Sequence, residues 1–207
     1  MRVVFIFIVI CVLIGLTVPI GLALRFWMDG QAVLAEAQRE GALRAPASGR
    51  LSLVERTIAM NEFRETWLTS GTPCRTIAFV WYDLTGQSAP QDMTVSHRYA
   101  TELIRDQRRE LSVRWQINRF FLACQLEQRF NDRQILRLWL AHAYFGRDAE
   151  GLEAASQTIF GKPSSALNAE EAARLAALLK GPGLRSRPED WAARARAIQE
   201  RVAGVSQ

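Results

Sequence analysis

The stretch from residue 3 to residue 24 constrains this chain more than any other feature. None of its side chains is charged, and sixteen of its positions are Val, Ile, Leu or Phe. As a helix rising 1.5 Å per residue it would be about 33 Å long, enough to cross the hydrocarbon core of a bilayer. At roughly −0.3 to −0.6 kcal/mol each, these side chains contribute about −5 to −10 kcal/mol to insertion, more than Pro19 and two glycines reverse. A cleaved secretory leader is the alternative. Against it, Arg25-Phe26-Trp27 follows where a small-residue cleavage site would stand. The expectation is a retained anchor over residues 1–27, a juxtamembrane segment and linker over 28–50, and one domain over 51–207. Arg2 and the amino terminus oppose only Arg25, with Asp29 nearby, which favours the domain outside the cytoplasm.

The remaining length suits a single domain, and its aromatic residues are spread along the chain, which excludes a disordered tail. The formal charge is +5, and Lys162 and Lys180 are the only lysines among the basic residues. Arginine's planar fork bonds two oxygens together, which suits phosphate, pyrophosphate and anionic lipid. Nucleic acid is not expected, because no basic stripe with interleaved aromatics occurs. Cys11 lies in the apolar block. Cys74 and Cys124 are isolated and read as small buried apolar residues, with a bridge between them in an oxidising compartment as the alternative. The two histidines, His97 and His142, have no set of ligating neighbours, so no metal site is assigned.

Helical periodicity dominates the domain. Val113, Ile117, Phe120 or Phe121, Cys124 and Leu126 recur mostly at three- and four-residue steps. A second helix starts near Asp132 and carries Ile135, Leu136, Leu138, Trp139, Leu140 and Ala143, with Gly146 as its stop. A third spans residues 151–160 and ends at Gly161. Asn168 and Glu171 have capping-box spacing before an alanine-rich run to Lys180. Pro188 opens a closing helix with Trp191, Ala195, Ile198 and Val202 on one side. Residues 77–82 are the one candidate strand, with helix as the alternative because they lack clear alternation.

The segment Ile135-Leu136-Arg137-Leu138-Trp139-Leu140-Ala141-His142-Ala143-Tyr144-Phe145-Gly146 carries a further signal. It is followed by Gly151 to Ala155, Phe160-Gly161-Lys162, Leu167, and Glu171-Ala-Ala-Arg-Leu175. In order and spacing this resembles the fourth motif region of family 51 glycosyltransferases, the lipid II polymerising domain of penicillin-binding proteins and monofunctional transglycosylases. The resemblance implies a mostly α, lysozyme-like helical domain behind a single transmembrane helix, facing the periplasm from a bacterial inner membrane.

The family's first motif aligns with residues 62–71, where Glu62 and Gly71 are kept. The resemblance makes Glu62 the general base toward the acceptor sugar hydroxyl. Its structural alternative is a solvated helix glutamate, with Glu65 three residues on. The second motif aligns with residues 93–99. Thr94 and Ser96 keep the hydroxyl pair, both glutamines are absent, and Arg98 is a candidate phosphate ligand in place of the family's lysine. Helix capping after Asp92 is the alternative for the hydroxyls. The third motif keeps Arg114 and places Asn118 where the family has the carboxylate associated with pyrophosphate and its divalent ion. The fourth motif has Arg137 and Ala141 at its acidic and amide positions. Arg194 and Arg196 stand where the family has paired arginines, although surface charge explains them equally.

Polymerising lipid II needs a base and electrostatic stabilisation of a departing lipid pyrophosphate. The expectation is therefore a catalytically impaired relative that serves as a binding or regulatory module of cell-wall synthesis. Its partners would be lipid II or a glycan strand, the membrane, and wall-synthesis proteins. No cofactor is expected, magnesium being implied only for an active enzyme. An active monofunctional polymerase is the first alternative and a lysozyme-like glycan-cleaving enzyme the second.

Overall fold

A computed structural model describes residues 2–44, 49–63, 74, 94–105, 113–146 and 149–205, with the side chains of 2–16, 18, 19 and 205 outside the described set. The candidate strand over 77–82 lies outside the described residues. Among those described the structure is helical, and its one β-bridge joins Tyr144 to Glu150. The long helix α1 covers Arg2–Arg39 and α2 covers Leu53–Phe63. They are followed by α3 (Val95–Leu103), α4 (Val113–Arg129), α5 (Asp132–His142), α6 (Leu152–Phe160), α7 (Ala169–Lys180) and α8 (Pro188–Val205). Short 3₁₀ turns at Ser164–Ala166 and Pro182–Ser186 join the last three.

The helix starts follow from local chemistry. Asn131 accepts from the Gln134 N–H while the Gln134 side chain accepts from the Asn131 N–H, which satisfies two orphan donors at the head of α5. Asn168 and Glu171 do the same for α7, and Glu171 also pairs with Lys162 at 2.8 Å. Ser52 and Glu55 form the equivalent reciprocal pair at the head of α2. Helix α5 ends at His142, four residues before Gly146, so the expected glycine stop is displaced. The chain instead turns through hydrogen bonds from the Phe145 N–H to the Ala149 carbonyl and from the Gly151 N–H to the Ala143 carbonyl. Gly151 sits at φ +86°, and a Cβ there would lie 2.6 Å from the Ala141 carbonyl oxygen. Only glycine fits this close approach of α6 to α5.

Alanines 172, 173, 176 and 177 are buried and let α7 approach α2 and α8 closely. Trp191, Ala195 and Ile198 form the buried face of α8, with Val202 packed against it. The Trp191 Nε1–H donates to the Arg174 carbonyl at 2.8 Å, which fixes the α8 register on α7. On the other side, α3 packs on α4 and α5, and α1 packs on α4. The segment read as juxtamembrane is helical to Arg39 and supplies Leu34, Ala37 and Leu43 to the same core. The Tyr99 hydroxyl, carried by α3, donates to the Ala42 carbonyl at 2.9 Å and secures the chain just after α1.

The apolar run over residues 3–24 lies mostly on side chains outside the described residues. Among the described residues no helix is long and apolar enough to cross a membrane.

Two covalent or ionic links cross long sequence distances. Cys74 and Cys124, 50 positions apart in sequence, form a disulfide with Cα atoms 4.4 Å apart. This corrects the reading of both as free buried thiols, because isolated spacing cannot show which cysteines tertiary packing brings together. Arg137 of α5 donates from Nε to Glu55 Oε1 at 2.7 Å and from Nη2 to Glu55 Oε2 at 3.1 Å and to the Arg50 carbonyl at 2.8 Å. Both side chains are largely shielded from water, at 17% and 13% exposure. Burial raises the Glu55 pKa, but the Arg137 hydrogen bonds, the Ser52 N–H and the Arg137 charge outweigh it and hold the carboxyl below its ordinary value.

Reduction of Cys74–Cys124 should lower stability by about 3–4 kcal/mol on the chain-entropy account, read as a lower urea midpoint in dithiothreitol. Arg137→Met should cost about 3 kcal/mol at pH 7 by stranding a buried carboxylate. Because the Glu55 pKa is depressed in the fold, the pair stabilises above the ordinary carboxylate pKa and is lost as pH falls through the lowered one. The gap between Arg137→Met and the parent should therefore narrow in acid, measured by urea unfolding from pH 7 down to pH 3.

Candidate functional site

Glu62 stands in the last turn of α2, where the packing of α2 on α7 and α8 turns it inward. Its side chain is only 5% exposed, and Oε1 lies 3.5 Å from Lys180 Nζ at the end of α7. The Asn61 amide donates to the same oxygen at 3.0 Å, and Arg201 of α8 donates to the Asn61 carbonyl oxygen at 2.9 Å. A carboxylate thus sits beside a cation and within a polar chain that reaches three helices, rather than on a solvated helix face. Lys180, Asn61 and Arg201 were not picked out in the sequence. The available signal was that Lys180 is one of two lysines and ends an otherwise alanine- and leucine-rich helix.

Next to Glu62, Phe63 meets the Trp139 ring edge-on at 5.5 Å between centroids. The Arg98 guanidinium lies over the same indole, 5.6 Å from its centroid. Trp139 of α5 therefore separates and connects the first-motif and second-motif regions, and Arg98 is held by a cation–π contact. Thr94 caps α3 by accepting from the His97 N–H, so capping is realised here. Its hydroxyl also lies 2.9 Å from the Ser96 hydroxyl, and the fully buried Ser96 donates to Glu127 of α4. Both hydroxyls are tied into the α3–α4 contact. On the same turn, burial and the charge of Arg119 push the His97 pKa down to about 4, so this imidazole is neutral at neutral pH.

Arg114 and Asn118 lie one turn apart on α4 and line a cavity of about 280 Å³ with Asp29, Gly30, Val33, Ile104 and Leu122. Arg114 Nη2 is 3.7 Å from Asp29 Oδ2. The shielded oxygens Asp29 Oδ2 and Asn118 Oδ1 accept no hydrogen bond. The family's divalent ion does not fit this donor set. It offers one carboxylate, already faced by a guanidinium, and one neutral amide, whereas such an ion takes several oxygen ligands with net negative charge. Among the described residues no group of three His, Cys, Asp or Glu side chains could hold a metal.

The fourth-motif positions play another part. Arg137 is spent on Glu55, and with Ala141 it lines an acidic cavity of about 350 Å³ beside Glu150 and Glu153. Arg194 and Arg196 are exposed on α8, and the arginine from that helix that reaches the Glu62 group is Arg201. Arg98 and Phe63, the neighbour of Glu62 in sequence, both meet Trp139, while the Glu62 side chain itself faces Lys180 and Asn61. Thr94 and Ser96 face Glu127, and Arg114 with Asn118 faces α1. Glu65 and Gly71 of the first motif lie outside the described residues.

Comparison with known proteins identifies a family. The profile of the family described as Transglycosylase matches residues 74–203, more than half of the chain. Penicillin-binding protein 2a of Streptococcus pneumoniae is 45% identical over 65 residues, covering 31% of this chain and 9% of its own length. Penicillin-binding protein 1C of Escherichia coli is 41% identical over 86 residues, covering 42% and 11%. A biosynthetic peptidoglycan transglycosylase of a Marinomonas species is 45% identical over 69 residues, covering 33% and 30%. The chain therefore spans under a third of the length of each of these relatives. With the helical order, the α5–α6–α7 signature and the profile all in agreement, the chain belongs to the transglycosylase family.

Proposed function

We propose that this protein is a membrane-anchored, transglycosylase-type module of bacterial cell-wall synthesis that binds lipid-linked or polymeric glycan, or a wall-synthesis partner, without polymerising lipid II at the rate of an active enzyme. The anchor is residues 3–24, and the domain follows it outside the cytoplasm. The Cys74–Cys124 bridge supports that side of the membrane, because disulfides persist in oxidising compartments. The lysozyme-like arrangement named for the family is part of the same reading.

One observation carries the proposal. Charged groups at the motif positions are already committed to partners inside the fold: Glu62 to Lys180 and Asn61, Arg114 to Asp29, Arg98 to Trp139, and Arg137 to Glu55. A departing pyrophosphate would have to draw arginines away from these contacts, and it meets Asn118 in place of a carboxylate that could share a metal ion. Preorganised charge stabilisation is commonly the largest catalytic term, and losing one group of this kind costs about 10²–10³ in rate.

The active-polymerase reading keeps one specific support, the Lys180 cation 3.5 Å from the Glu62 carboxylate, which helps hold that side chain in one position. Lipid II turnover by the purified full chain separates the two. The impaired module should run at least about 10²-fold below an active family member assayed alongside, with Glu62→Gln leaving the residue of activity unchanged. Polymerisation at the rate of that family member, abolished by Glu62→Gln, would overturn the proposal. Soluble fragments released from sacculi would instead favour the glycan-cleaving reading.

A further inference from the structure

We infer that Asn61 and Arg201 are positioning residues for Glu62: the Asn61 amide, oriented by Arg201, holds carboxylate oxygen Oε1 and leaves Oε2 as the atom presented to a hydroxyl of bound glycan. This rests on the glycan-binding reading of the preceding subsection. It adds the end of α8 as the element that sets the geometry of that contact.

The direction of the amide follows from its chemistry. A primary amide accepts only at its oxygen and donates only at its nitrogen. Arg201 Nη1 lies 2.9 Å from Asn61 Oδ1, and Asn61 Nδ2 lies 3.0 Å from Glu62 Oε1. A guanidinium offers donors alone, so the amide oxygen must face Arg201 and the nitrogen must face Glu62. Turning the group by half a rotation would set donor against donor at one end and acceptor against acceptor at the other. Both contacts would be lost together. Asn61 is buried, so water is poorly placed to replace either partner. Arg201, exposed on α8 and 140 positions away in sequence, therefore decides which atom Asn61 turns toward Glu62.

The residue type at position 61 is specific to this task. Aspartate there would accept from Arg201 but could not donate to Glu62, and alanine would do neither. An amide joins the two, and its bonds polarise one another along the chain from guanidinium to carboxylate.

The consequence falls on the free oxygen of Glu62. The Asn61 contact and the Lys180 contact at 3.5 Å both use Oε1, and Oε2 carries neither. The last torsion of a glutamate is broad and roughly two-fold, so an untethered carboxylate exchanges its oxygens and samples many directions. Tethering Oε1 from two sides removes that freedom before a ligand arrives. A hydrogen bond from a sugar hydroxyl to Oε2 then forms with less ordering cost.

The test uses the full chain in detergent micelles at pH 7, with affinity measured for lipid II and for a tetrasaccharide of the wall glycan. Asn61→Asp keeps an acceptor for Arg201 and removes the donor toward Glu62. It should bind about tenfold more weakly than the parent, the scale of one lost hydrogen bond to a charged group. In the Glu62→Gln background the new glutamine amide can donate to the new carboxylate, so Asn61→Asp should cost nothing further. That non-additivity separates action through Glu62 from a structural role, which would cost the same factor in both backgrounds. Arg201→Met should weaken binding about threefold, and Arg201→Lys, which keeps a donor for the single contact, should restore most of it. A cooperative urea transition for each variant checks that it is folded. Asn61→Asp or Arg201→Met binding as tightly as the parent, or an equal loss for Asn61→Asp in both backgrounds, would overturn this inference and leave glycan binding standing. Binding of neither probe by the parent would overturn both.

Discussion

The doubly hydrogen-bonded Glu55–Arg137 pair joins the two halves of the site-bearing structure. It ties the first turn of α2 to the middle of α5, while the far end of α2 carries Glu62 and the middle of α5 carries Trp139 two residues on. With the head of α2 fixed on α5, its tail is directed between α7 and α8, which places the Glu62 carboxylate beside Lys180. A shielded ion pair contributes little net stability because desolvation offsets its attraction, but it strongly penalises arrangements in which either charge is left alone. Its effect here is to fix the orientation of α2.

The same economy of charge recurs through the motif positions. Arg137 stands at an acidic position of the family pattern and finds a carboxylate on another helix. Arg114 finds Asp29 on α1, and Arg98 finds an indole face. Each contact gives a charged group at a motif position a partner inside the fold. Glu62 differs in that its environment suits either reading: a cation and an amide hold the carboxylate in place, but they also occupy one of its oxygens.

Much of the helical order was legible in the residues because its causes are local. Asn131 with Gln134 and Asn168 with Glu171 cap their own helices, Gly161 takes the left-handed conformation that ends α6, and Trp191, Ala195 and Ile198 recur at helical spacing. The α5–α6–α7 signature was legible for a related reason. Gly151 is demanded by its 2.6 Å approach to the Ala141 carbonyl, so the residue type reports a contact directly. The site was less legible. Glu62, Arg98, Arg114 and Asn118 could be lined up with motif positions, but their spacing says nothing of Lys180, Arg201 or Asp29, which arrive from helices far along the chain.

The sequence by itself determined the uncharged 22-residue block, the helix-forming segments with most of their caps, and the family signature. Those are properties of residue type and near-neighbour spacing, which set backbone preference and available chemistry. Only the tertiary structure decided that Cys74 and Cys124 are joined, that Arg137 neutralises Glu55, that Lys180 faces Glu62, and that Gln125 of α4 packs against Gly30 of α1. Each is a meeting of groups separated by many residues. Hydrophobic packing of whole helix faces fixes such meetings, and the charges and sulfurs then pair with whatever that packing brings within reach.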